Sequence, residues 1–134
     1  MKDNNTKLEE LTKRIIKFRD ERGWEKFHTP RNLATSIVLE SAELLELFQW
    51  DLKALSASEI KKESERIEKI KQEMADIIIY TLSLADILEI NVSEAIERKL
   101  EHNAKKYPTK HFNKNGQDLK YYKKIKAKYR TGKK

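Results

Sequence analysis

Apolar residues recur at helical rather than alternating spacing through most of this 134-residue chain, and that periodicity restricts what it can fold into. Leu8, Leu11, Ile15 and Phe18 form one stripe, predicting a first helix over about Lys7 to Arg22 that Gly23 stops. After the aromatic connector "WEKFHTP", Thr29 reads as an N-cap with Pro30 at the first helical position of a second helix running toward Trp50. Its apolar set, Ala34, Ile37, Val38, Leu44, Leu45 and Phe48, covers more than one stripe, so this helix is expected to be central. Ser56 with Glu59 resembles a capping box and opens a third helix, polar through "IKKESERIEKIKQE" and apolar through "MADIIIYTLSLADIL". Asn91 with Glu94 repeats the cap before a fourth helix that ends where Tyr107 meets Pro108. The β-branched run "DIIIY" is short and embedded in helical pattern, so the expected class is an all-α bundle of four main helices.

The length suits one domain with a real core, and three glycines and two prolines leave little punctuation for a sheet-rich fold. With no cysteine, neither a disulfide framework nor a thiolate metal site is available. The N-terminus "MKDNNTKLEELTKRI" is charged, and no stretch approaches the roughly 20 apolar residues that span a bilayer, so a soluble cytoplasmic protein is expected. The net charge of +7 is unevenly placed. From Lys105 onward there are twelve Lys or Arg against one acid, Asp118, and the remainder is mildly acidic. Tyrosines among lysines in "YYKKIKAKYRTGKK" could hold RNA or DNA by charge and stacking, but the preferred reading is a solvated extension that packs a few rings and frays.

Chemistry enters with two acid pairs. Glu40 and Glu43 lie three residues apart among leucines in "LESAELLELFQW", and Glu73 and Asp76 repeat the spacing at the entrance to the apolar half of the third helix. Residues three apart on a helix share a face, so each pair projects side by side. If the two helices pack together, four carboxylates meet, and they repel one another unless a cation sits between them. An all-oxygen set favours a hard ion, Mg²⁺ or Mn²⁺. Trp50 follows Glu43 by seven residues and Tyr80 follows Glu73 by seven, which on a continuous helix places a ring about two turns beyond each pair. A cation-bound phosphate chain with an aromatic surface one nucleoside away is the layout of a nucleotide site.

A lone Glu-x-x-Glu on a helix is usually solvated and carries no weight, as Glu46, Glu59, Glu63, Glu65 and Glu68 illustrate. Here it is the apolar setting that counts. Trp50 and Tyr80 taken singly read more readily as core or interface residues, and His28 as an exposed loop residue. A di-iron carboxylate bundle needs Glu-x-x-His on two helices, whereas the sole such spacing is Glu25 to His28 in a connector beside Pro30.

The ordered set "RGWEKFHTPRNL", "LESAELLELFQW", "QEMADIIIY" and "KLEHNAKKYP" resembles the all-α nucleoside triphosphate pyrophosphohydrolases of the MazG-like group, of the dCTP pyrophosphatase type. The resemblance runs from about Phe18 to Pro108, suggesting a catalytic domain over 1–108 and a basic extension over 109–134. It implies cleavage between the α- and β-phosphates, releasing a nucleoside monophosphate and pyrophosphate. It also implies Mg²⁺ held by Glu40, Glu43, Glu73 and Asp76 as the catalytic and metal residues. Base and sugar contacts would come from Trp24 to His28, Trp50 and Tyr80, and phosphate-side contacts from Lys99 and Asn103. Assembly as a homodimer or tetramer is implied too, and would cover the apolar half of the third helix. Two positions depart from close relatives: Lys26 stands where a glutamine is frequent, and Ile15 where some vertebrate relatives have a histidine near the nucleotide.

Overall fold

The computed structural model describes residues 1–51 and 55–131, which form two compact units, Met1–Ile90 and Asn91–Lys134. In the first unit, α1 spans Leu8–Asp20. Gly23 takes a positive φ of 62°, and the Trp24 N–H then returns to the Arg19 carbonyl at 3.2 Å, so the glycine ends the helix as expected. A single 3-10 turn, Glu25–Phe27, leads to Thr29, whose hydroxyl accepts from the Asn32 N–H at 3.2 Å with Pro30 at the first helical position. Helix α2 then covers Pro30–Glu46.

Two expected boundaries shift. Helix α2 stops before Trp50: its last turn tightens, with Phe48 bonding Leu45 and Asp51 bonding Phe48, both i to i+3. The turn brings Asp51 to Arg66, Nη2 to Oδ2 2.6 Å, while the same guanidinium lies 4.8 Å from the centre of the Phe48 ring. The expected third helix is in fact two. The capping box forms, with the Glu59 N–H on Ser56 Oγ at 3.3 Å and the Ser56 N–H on Glu59 Oε2 at 2.7 Å, but α3 ends after Ala57–Ile60. Helix α4 restarts over Ser64–Ile87. The polar stretch Lys61–Glu63 buries nothing that would hold a straight helix together, whereas Arg66 in the first turn of α4 is anchored on Asp51.

Asp51 meets Arg66 while Glu40 meets Asp76, so α2 and α4 run antiparallel. Their far end holds the core: Leu33 of α2 with Leu82, Ser83 and Ala85 of α4, all buried. The Ser83 hydroxyl donates to the Ile79 carbonyl at 2.8 Å, which satisfies the buried polar group. Arg19, 7% exposed, fastens α1 to this end by reaching Asp86 at 3.1 Å as well as its neighbour Asp20 at 2.7 Å.

In the second unit α5 spans Val92–Lys106, capped by Asn91 and ending at Tyr107 as expected. The tail does not fray over the described residues. A two-residue antiparallel hairpin, β1 Phe112–Asn113 with β2 Gly116–Gln117, precedes α6 over Leu119–Arg130. Asp118 makes this possible by accepting from the Tyr121 N–H at 2.8 Å and pairing with His111 Nδ1 at 2.9 Å. The Tyr121 ring stacks on His111 at 3.9 Å, and Tyr107 packs against Phe112 and Tyr122. The fold is therefore predominantly helical, with six helices and one short hairpin among the described residues.

Candidate functional site

Antiparallel packing of α2 on α4 gathers three of the four expected carboxylates. Glu40, Glu73 and Asp76 each offer an oxygen, and the three oxygens lie within 4.8 Å of one another. All three are half-buried. Glu43, one turn further along α2, is exposed and stands outside this triplet, although its charge still reaches both glutamates. Burial, followed by the charges of Glu43, Asp76 and Glu73, pushes the Glu40 carboxyl above the usual glutamate range. Glu73 is raised likewise, first by burial and then by Glu43, Asp76 and Glu46. Like charges this close form a set that a divalent cation would relieve. The donor chemistry, carboxylate oxygens alone, fits a hard ion.

The expected recognition residues fall in different settings. Tyr80 lies on α4 one turn beyond Asp76 and is half-buried. Its two-turn relation to Glu73 holds because α4 is continuous there. Trp50 is 82% exposed and sits in the turn after α2, so the relation expected of it to Glu43 along one helix is lost. Trp24 packs edge-on to Phe18 with ring centres 5.8 Å apart, and Arg22 covers Phe18 at 3.6 Å. His28 is half-buried rather than an exposed loop residue, and its Nδ1 is buried without a protein partner among the described residues. Burial, reinforced by Arg19, holds its pKa below the ordinary histidine value. Lys99 and Asn103 lie on α5, Lys99 exposed and Asn103 half-buried.

Sequence reasoning passed over the residues that hold these elements in place. Arg66 with Asp51 clasps one end of the helix pair, and Arg19 with Asp86 fastens α1 to the other. Both ion pairs join residues far apart in sequence, so no local spacing announces them. The one available signal is the presence of arginines, with their broad hydrogen-bonding fork, in otherwise lysine-rich polar stretches.

The class this defines is a helical protein whose antiparallel helix pair presents a half-buried, all-carboxylate triplet. Residues 35–120 match the MazG-like family, and the chain belongs to that family. The matched span contains all four expected acids, Trp50, Tyr80, Lys99 and Asn103, while Trp24 and His28 precede it. Similar proteins include dCTP pyrophosphatase 1 of Rattus norvegicus, 36% identical over 101 residues, and that of Homo sapiens, 35% identical over 101 residues. These alignments take in 75% of this chain and 59% of each relative, so the chain spans rather more than half the length of the curated relatives it matches. The crystal structure of a pyrophosphatase from Archaeoglobus fulgidus is similar at a TM-score of 0.68 with 46% sequence identity, covering 81% of this chain and 98% of that one.

Proposed function

We propose that this protein is a Mg²⁺-dependent nucleoside triphosphate pyrophosphohydrolase that acts on dCTP or a modified dCTP and releases the monophosphate and pyrophosphate. The observation that carries this reading is the convergence of Glu40, Glu73 and Asp76 on two antiparallel helices of a MazG-like chain. Its relatives named dCTP pyrophosphatase, and the similar archaeal pyrophosphatase, support the reaction class and the base.

Glu40, Glu73 and Asp76 would hold the cation, with Glu43 beside them as the fourth carboxylate. Mg²⁺ bound there supplies charge neutralisation for a triphosphate and makes water a better nucleophile near neutral pH. The remaining residues position the substrate. Trp24, His28, Trp50 and Tyr80 contact the base and sugar, and Lys99 and Asn103 the phosphate side. Phosphoryl chemistry asks mainly for positioning and charge neutralisation, so this inventory suffices. Residues 1–108 carry the activity and 109–134 form a basic extension. No helix of the described residues is long and apolar enough to cross a membrane, and a cytoplasmic enzyme of the nucleotide pool is the setting that fits.

Val38 and Leu45 on α2, with Met74 and Ile78 on α4, leave between 48% and 67% of their surface exposed, far more apolar area than helices beside a core normally show. A second copy of the chain covers them in a dimer or tetramer. The test is a panel of canonical and modified deoxynucleoside triphosphates with Mg²⁺, read by monophosphate and pyrophosphate release. Preferential turnover of cytosine nucleotides with pyrophosphate as first product is expected, and orthophosphate as the sole primary product would refute the reaction.

A further inference from the structure

Helix α6 differs from the other charged helices in how it treats its charges. On α1, Lys13 pairs with Glu9 and Lys17 with Glu21; on α4, Lys69 pairs with Glu65; on α5, Arg98 pairs with Glu94. These are the neutralised, solvated faces that a soluble helix ordinarily presents. Helix α6 has six cations, Lys120, Lys123, Lys124, Lys126, Lys128 and Arg130, and no acid within Leu119–Arg130. All six are exposed.

Helical geometry sorts the residues. At about 100° per residue, the six cations occupy one arc of about 200°, and Tyr121, Ile125, Tyr129 and Tyr122 occupy the other side. That other side is engaged within its own unit: Tyr121 stacks on His111, Tyr122 lies near Tyr107, and Tyr129 meets His102 edge-on at 5.3 Å. The cationic arc therefore faces water. Like charges four apart, as at Lys120, Lys124 and Lys128, destabilise a helix, and Lys120 in the first turn also opposes the helix dipole. The cap at Asp118 and the aromatic packing hold the helix against this repulsion.

We propose that the exposed face of α6 is a binding surface for single-stranded nucleic acid. Lys123, Lys126 and Arg130 follow one another at three- and four-residue spacing, about 4.5 and 6 Å apart along the axis, a row that tracks a phosphate backbone and releases its counterions. Tyr122, 36% exposed, lies about 40° beyond the Lys126 edge of this row, with Lys126 at 5.5 Å from its ring. A partly open ring beside a cation provides the stacking platform that an unpaired base uses and a duplex does not. A membrane surface fits less well, because the apolar side that would enter lipid is already occupied by His111, Tyr107 and His102.

Fluorescence anisotropy with the full chain and labelled single-stranded DNA and RNA about 20 nucleotides long tests this directly. Wild type should bind both, with affinity falling steeply between about 50 and 200 mM salt. Lys123→Gln, Lys126→Gln and Arg130→Gln together should weaken binding at least about tenfold and reduce the log–log salt slope by about 2. Glutamine favours helix and lessens the repulsion, so this variant keeps α6, which far-UV circular dichroism verifies. Tyr122→Leu should cost at least about fivefold on the single strands and nothing on heparin, which offers charge without bases. Lys2→Gln, Lys61→Gln and Lys62→Gln remove equal charge elsewhere and should leave binding unchanged. The proposal is overturned if wild type shows no salt-dependent binding, if the control triple loses as much as the α6 triple, or if duplex DNA or phosphatidylserine vesicles bind more tightly than the single strands.

Discussion

Glu40 on α2 and Asp76 on α4 bring carboxylate oxygens within 4.8 Å of each other across an antiparallel helix pair, with Glu73 completing the triplet. Half-buried acids at this distance oppose the packing that the nearby core favours. Glu40 and Glu73 are both raised above the ordinary glutamate value, so between about pH 4 and their folded values the folded state holds protons that the unfolded chain has released. Stability contributed at these sites consequently falls as pH rises through that window. Glu40→Gln or Glu73→Gln should each reduce the fall and leave the metal-free protein at least as stable as wild type at neutral pH. Urea melts in EDTA across this pH range would show it, and a neutral-pH loss in both variants would contradict it.

The Arg66–Asp51 pair lies at the opposite end of the helix pair from the core, with side chains only 14% and 23% exposed. Arg66→Met removes a charged hydrogen bond and the cover over Phe48, and leaves Asp51 without its partner. The expected cost is about 2 kcal/mol, read from urea denaturation. Restoration by exchanging the two residues, Arg66→Asp with Asp51→Arg, would show that the loss belongs to the pair.

How far the sequence discloses this molecule depends on whether a feature is local. The caps at Thr29, Ser56 and Asn91 and the stop at Gly23 are set by neighbouring residues, and they appear where the spacing predicts. The end of α2 and the break before α4 are set by Arg66 reaching Asp51 across fifteen positions, which no local pattern encodes. The α6 helix was obscured for a different reason: its like-charged composition argues against a helix and outweighs a cap at Asp118 that is local, while the ring stack that helps hold it reaches back to His111. In the site, both acid pairs were legible from their apolar setting. The exclusion of Glu43 from the triplet was not, because residues three apart diverge by about 60° and only the packing decides which of them faces the partner helix.

Trp50 separates recognition from stability. At 82% exposure in a turn, it contributes little to the core of its own chain. Trp50→Ala should change stability by no more than about 0.5 kcal/mol while lowering the specificity constant for dCTP by about fivefold or more. Equal losses for dCTP and dTTP, together with a large fall in melting temperature, would instead assign the ring to packing.

Assembly is checked by mass in solution. The wild-type chain should be at least a dimer at micromolar concentration by light scattering, and Ile78→Glu, which places a charge on the exposed apolar stretch of α4, should release monomers. A fully active wild-type monomer would contradict the proposed assembly.

The most direct test of the account is a Mn²⁺ titration followed by electron paramagnetic resonance, comparing wild type with Asp76→Asn and Trp50→Ala. Wild type should bind Mn²⁺ saturably, Trp50→Ala should bind it equally well, and Asp76→Asn should bind it more than about tenfold more weakly, since a direct ligand matters at least as much as the groups that orient one. Wild-type Mn²⁺ affinity in Asp76→Asn would contradict the claim that Glu40, Glu73 and Asp76 form the cation site.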